Sequence, residues 1–347
     1  MAESSANSVS GAGRIITTVL GDIASRDLGF CQSHEHLFIR RGHSAEVNPV
    51  LCIDDFSKSL AELEAYYHAG GRALVDAQPP GCGRDPGALM ELSRRSGIQI
   101  IASTGFHRML YYPEDHRIFT AGADELARFF LAELNEGMYM EESRIPTGFE
   151  PAAGIAAGPR NPGRAGQIKT ALEAGAFDRQ SQKLFTAAAA AAVESGCAVM
   201  VHVERDAVPT ALADFLLKEG LAPARLIFCH LDRAVEDLGV HRELCRRGAY
   251  LEYDTIGRPK YYSDKREAEI VLELTEAGFS EQILMALDTT RARLGAYGGS
   301  PGLCHILESF IPLLKSRGLT EEHIQMFFVK NPAGAFARTV SSKPKHG

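Results

Sequence analysis

The chain has no tryptophan, no CxxC pair among its 7 cysteines, no excess of basic charge and no apolar run of bilayer length. Each absence removes a class of function. Without clustered thiols, a zinc ribbon or a disulfide framework is disfavoured, and Cys31, Cys52, Cys82, Cys197, Cys229, Cys245 and Cys304 read as reduced thiols of a cytoplasmic protein. With 44 acidic against 37 basic residues and a net charge of −7, no basic field serves nucleic acid or an anionic membrane. The longest alanine-rich run, 187–196, is too short to span a bilayer and reads as a buried helix face. The start, 1-MAESSANSVSGAG-13, lacks the basic and apolar regions of a signal peptide and reads as a disordered tail; 341–347 is a second tail.

What is present is a core-forming composition, 45% hydrophobic over 347 residues. After a β-like lead-in at 14–29, eight strand-length apolar runs recur at 29–34, 73–78, 98–105, 166–170, 197–203, 225–231, 249–255 and 283–289. Segments with helical periodicity separate most of them, at 56–70, 86–97, 123–137, 178–196, 208–220, 232–248 and 264–278, with another at 304–318. Several close on glycine and several open near Asp, Ser or Pro. This alternation predicts an α/β fold, a (β/α)8 TIM barrel with a short N-terminal β lead-in, as one domain over 14–340. An open doubly wound sheet is the alternative. The Gly, Pro and Ala-rich segment 141–166 breaks the rhythm as a long loop before the fourth strand, placed to cover a site.

Barrel enzymes build their sites at the C-terminal ends of the strands. There stand His34 and His36 on the first strand, Lys169 on the fourth, His202 on the fifth, His230 on the sixth and Asp288 on the eighth. Two histidines at i and i+2 share a face of a strand, so His34 and His36 can reach one metal, and Glu35 between them points away, toward a neighbouring helix. The order His34-Glu35-His36 is not an HExxH motif, since position 39 is isoleucine. One histidine at a strand end is ordinarily structural. Four, with an aspartate and a lysine at the same pole, point to a metal site for Zn, Mn, Co or Fe. Cys31 and Cys229 are read as packing thiols.

These residues lie in 33-SHEHL-37, 166-GQIKT-170, 202-HVERD-206, 229-CHLDR-233 and 286-ALDTTR-291, followed by 295-GAYGG-299 and 331-NPAGAFA-337. The set resembles the phosphotriesterase-related family of the amidohydrolase superfamily, in order and in strand placement. The resemblance implies two divalent ions, the first on His34, His36 and Asp288 and the second on His202 and His230, bridged by a Lys169 carboxylated by CO₂. It implies hydrolysis by a metal-bridging hydroxide, with Asp288 as acid and base. A homodimer is expected by analogy, acting on a small-molecule substrate.

The loops choose that substrate. Lys260 after the seventh strand and Arg291 after Asp288 resemble the branch that hydrolyses phosphorylated sugar lactones, and are the substrate candidates. Arg258 and His107 are further candidates, as are Arg108, Tyr253 and Tyr261. A neutral organophosphate pocket would be largely aromatic, which the lack of tryptophan disfavours. The expected activity is therefore cleavage of an anionic ester or lactone. Phosphotriester or N-acyl amide hydrolysis on the same metals is the alternative, with a mononuclear deaminase lacking the bridging lysine, or a non-catalytic ligand-binding barrel, beyond it.

Overall fold

Eight parallel strands alternate with helices in the computed structural model, which describes residues 13–140, 160–175 and 177–339. In chain order the elements are β1 Arg14–Thr18, β2 Gly21–Ala24, β3 Cys31–Glu35, α1 His43–Val47, α2 Phe56–Ala69, β4 Ala73–Asp76, α3 Pro86–Ser96, β5 Gln99–Gly105, α4 Ala123–Asn135 and β6 Ala165–Leu172. They continue with α5 Arg179–Ser195, β7 Val199–Val203, α6 Pro209–Lys218, β8 Leu226–Cys229, α7 Leu231–Ala234, α8 Leu238–Arg246, β9 Tyr250–Tyr253, α9 Asp264–Glu276, β10 Ile283–Met285, α10 Ile311–Ser316 and β11 Arg338–Thr339. The local chemistry sets several of these bounds. Helices α2, α3 and α5 each open on an aspartate that accepts the amide three residues on, and close on left-handed Gly70, Gly97 and Gly196.

The strands pair in parallel in sequence order from β3 to β10. The ring is nearly closed by the segment after β10, where the Asp288 amide donates to the His34 carbonyl at 3.1 Å. The lead-in forms a three-stranded antiparallel sheet, β11-β1-β2, and Val19 donates to the Ile100 carbonyl at the start of β5. Inside the barrel, Cys31, Val75, Ile101, Met200, Ile227, Cys229 and Leu284 belong to one buried apolar cluster. Both cysteines are packing thiols. The helix expected over 232–248 is two helices, because Val235 and Asp237 turn the chain and Asp237 caps α8. Residues 1–12, 141–159 and 340–347, which carry the two tails and most of the long loop, lie outside the described residues.

Candidate active site

The strand ends bring His34, His36, Lys169, His202, His230 and Asp288 together at one pole. Lys169 Nζ lies 3.1 Å from His34 Nε2, and Asp288 Oδ1 lies 3.5 Å from His36 Nε2 and 3.8 Å from His34 Nε2. The His230 ring stands 4.4 Å from that of His202 and 4.9 Å from that of His34, centroid to centroid. Strand periodicity alone does not achieve this convergence. Cys31 already faces the interior, so His34 reaches it through the shift in the β3 pairing between Gln32 and Glu35. Cys229 also faces inward, and His230 follows it into the site only by taking φ 62°. Asp288 is likewise left-handed, at φ 50°. Such conformations cost about 1–3 kcal/mol each for non-glycine residues and persist where the surroundings over-determine them.

Buried carboxylates supply that determination. Glu35, which the sequence directs toward a neighbouring helix, is fully buried and instead accepts the amides of Leu287 at 2.9 Å and Thr289 at 3.2 Å. It clamps the residues on both sides of Asp288. Its position between two inward histidines gives it the opposite face of β3, and that face meets the closing segment of the barrel rather than a helix. Burial pushes its carboxyl up to about 8. Asp254 does the same for His230, with Oδ1 2.7 Å from Nδ1 and Oδ2 accepting the His230 amide at 3.2 Å. Glu252 Oε2 lies 2.7 Å from His34 Nδ1, and burial pushes that carboxyl to about 7. Asp232 in turn accepts the amides of Asp254 and Thr255 at 2.9 and 2.8 Å. Glu252, Asp254 and Asp232 are not among the candidates that strand ends and motifs single out. The signal was there, since Glu252 and Asp254 repeat at β9 the i, i+2 spacing of His34 and His36.

The donor set fits divalent metal. Burial lowers His34 and His230 well below the usual histidine range and His202 to about 4, leaving neutral imidazoles with a lone pair to give. His36 Nδ1 and His202 Nε2 are buried without a hydrogen-bond partner among the described residues, so neither lone pair is taken by the protein. One ligand atom each from His34, His230 and Asp288 falls within 4.8 Å of the others. Glu252 and Asp254 occupy the Nδ1 edges of their histidines and so turn Nε2 toward the centre, the arrangement by which carboxylates orient metal-binding imidazoles. Asp288 is pushed up by burial but held well below the ordinary carboxylate range by Arg258 and the neighbouring imidazoles.

Above this floor opens a cavity of about 510 Å³, lined by His107, Arg108, Glu204, Arg233, Arg258, Lys260, Tyr261 and Arg293 among others. Arg258 forks onto Asp288, with contacts at 3.0 Å to Oδ2 and 2.5 Å to the carbonyl. Arg108 pairs with Glu204 at 2.5 Å. Arg293, absent from the sequence candidates, donates to the carbonyls of Ile256 and Gly257 at 2.6 and 3.0 Å and so holds the β9 loop that carries Arg258 and Lys260. Arg291 faces elsewhere. Its guanidinium donates to the Cys52 carbonyl at 3.1 Å and pairs with Asp54, in a separate groove with Arg41 and Glu46. Three residues past a left-handed Asp288, the chain has turned outward, and it is Arg293 that turns back in. Tyr253 lies within β9, buried, with its hydroxyl 2.8 Å from His241 Nδ1, while Tyr261 reaches the cavity.

The model of the phosphotriesterase family matches residues 14–336. The chain belongs to the phosphotriesterase family. A phospho-furanose lactonase from Mycoplasmopsis synoviae (strain 53) is 28% identical over 330 residues, covering 92% of this chain and 91% of that one. An N-acetyltaurine hydrolase from Danio rerio is 27% identical, covering 91% and 96%. Among solved structures, an amidohydrolase from Mycoplasma synoviae superposes with TM-score 0.86 at 27% identity, over 95% of this chain and 93% of that one. This phosphotriesterase-family member is a hydrolase. Among its described residues no helix is long and apolar enough to cross a membrane.

Proposed function

We propose that the protein is a binuclear metal-dependent hydrolase of a lactone or carboxylic ester that carries an anionic group, a phosphate or a carboxylate. One observation carries the substrate half. Five cations, Arg108, Arg233, Arg258, Lys260 and Arg293, line the cavity against the two carboxylates Glu204 and Asp288. Lys260 is exposed, packs on the Tyr261 ring at 4.6 Å and has no carboxylate partner among the described residues. An anion entering this cavity gains charge-assisted hydrogen bonds that a neutral substrate cannot make. The same demand supports a second reading, an N-acyl amide bearing an acid group, which the N-acetyltaurine hydrolase relative favours.

His34, His36 and Asp288 would hold one divalent ion, and His202 and His230 a second, with zinc favoured by imidazole and carboxylate donors. Lys169 is fully buried, with Nζ 3.1 Å from His34 Nε2. Its amine adding to CO₂, with loss of a proton, yields a carbamate whose two oxygens suit two cations. Bound ions supply Lewis acidity toward a carbonyl oxygen and acidify water. The chain supplies the rest. Arg258 keeps Asp288 ionised and aimed through Oδ2, the oxygen turned away from His34 and His36, and that oxygen would take a proton and return it to the leaving group. Val50, Leu51 and Tyr111 form an apolar wall beside the polar floor.

Metal-loaded protein expressed with bicarbonate, screened against lactones, esters, N-acyl amino acids and phosphotriesters in neutral and anionic forms, tests this reading. Turnover concentrated on anionic lactones or esters is expected. Preference for neutral phosphotriesters, or less than one metal per chain, would remove it.

A further inference from the structure

We propose that His107, the fifth histidine at this pole, is a fixed hydrogen-bond donor to the acyl oxygen of the substrate and not a metal ligand. The donor role rests on the hydrolase reading above; the exclusion from the metal does not.

His107 has the position of a ligand. Its ring stands 5.3 Å from that of His202, and it lines the cavity with His34, His36 and His230. The chain is forced into this place at Gly105, where φ is +99° and an added Cβ would fall 2.0 Å from the Lys169 carbonyl oxygen. Phe106 then donates its amide to that same oxygen at 2.8 Å, so the start of the loop is tied to the strand that carries Lys169. The next residue is His107.

What separates His107 from His34 and His230 is the direction of its lone pair. Its Nδ1 accepts the backbone amide of Arg108 at 2.7 Å. An amide nitrogen can only donate, so Nδ1 is unprotonated, and the proton of the neutral ring sits on Nε2. In His34 and His230 the Nδ1 edge instead faces a carboxylate, which accepts the Nδ1–H hydrogen bond and leaves the Nε2 lone pair free to bind a cation. His107 has the reverse arrangement. Its one available lone pair is spent on its own loop, and Nε2, on the edge of the ring remote from that amide, has no partner among the described residues.

The ring is also held still. Tyr112 accepts the His107 amide at 2.9 Å and donates to the Pro80 carbonyl at 3.2 Å, while the Tyr111 ring meets the imidazole edge-on at 4.8 Å. A donor fixed before the substrate arrives loses little entropy on use and stabilises negative charge as it develops on oxygen. The carbonyl oxygen of a lactone, ester or amide, or the carboxylate of its product, is the acceptor of matching chemistry. No proton need be transferred.

Three measurements on the full chain test the proposal. ¹⁵N-edited NMR of histidine-labelled, zinc-loaded protein should show His107 as the Nε2–H tautomer, with that signal shifting when acetate, the simplest acyl product, is added. The Nδ1–H tautomer, or an acetate-blind signal, would overturn it. Zinc content should be unchanged in His107→Phe, which keeps the ring contact, but should fall in His202→Asn; equal loss in both makes His107 a ligand. With a substrate found by the screen, His107→Phe should lower kcat/KM by about 10- to 100-fold, chiefly through kcat, and His107→Gln, which restores an N–H, should recover most of it. An undiminished rate in His107→Phe would also overturn it. If the wild type hydrolyses nothing on the panel, the proposed function fails, whereas the tautomer, acetate and zinc measurements still decide the role of His107.

Discussion

The floor of the cavity and its rim hold their functional residues in different ways. On the floor, His34, His230 and Asp288 are each fixed by a buried carboxylate, Glu252, Asp254 or Glu35, and two of the three keep a left-handed backbone. On the rim, Arg108, Lys260 and Tyr261 stand on loops at partial or full exposure and are held by one salt bridge or by ring contacts. The floor spends stability on geometry. The rim can vary without disturbing the barrel, so on the proposed function it is where a substrate would be chosen.

Changes on the floor should therefore cost most. Asp288→Asn keeps the shape but not the base, and should lower kcat by about 10²- to 10⁴-fold in steady-state assays while metal content stays largely intact. A near-normal rate would remove Asp288 from proton transfer. His202, held at about 4 by burial against an ordinary 6.5, gives the pH test. Above pH 6.5 both folded and unfolded chains carry it neutral; as pH falls toward 4 only the unfolded chain gains the proton, so stability is lost across that window. Urea titration of metal-free His202→Asn should show a loss smaller by about 3 kcal/mol over that range than in the wild type. Equal slopes would show that the ring is solvated. Glu35, raised to about 8, acts in the opposite sense, its contribution fading as pH rises from about 4.5 through 8.

Glu35→Gln retains one acceptor but sets an amide against a backbone amide, and should lower the stability of the protein by about 1–3 kcal/mol in chemical denaturation. If it does not, the clamp on Asp288 is dispensable. On the rim, Lys260→Ala should raise KM for an anionic substrate about tenfold, leave neutral analogues unaffected and shift stability by less than about 0.5 kcal/mol. Arg291→Ala should change the same KM less than about twofold, because its guanidinium is committed to Cys52 and Asp54. A large effect there would show that substrate draws Arg291 over, and would extend the rim beyond the cavity seen here.

Much of the floor could be read from strand ends. His34, His36, Lys169, His202 and Asp288 follow apolar runs of strand length, and the two-residue period puts the first pair on one face. Their supporting carboxylates were harder to read. Glu252 and Asp254 sit inside a run that looks like strand, and a buried acid is legible only when its partner is known; those partners lie 218 and 24 residues away. The rim was least legible. Lys260 and Arg258 reach the cavity, but Arg291 does not and Arg293 does, a difference decided by how the chain turns after Asp288.

By itself, then, the order of residues determined the barrel and the residue types at its pole, because periodicity and apolar burial are local properties of the chain. Only the tertiary structure decided which way Glu35 faces, how His230 enters the site, and that Nδ1 of His107 is occupied. These depend on backbone shifts of one residue and on hydrogen bonds whose direction no spacing in sequence encodes.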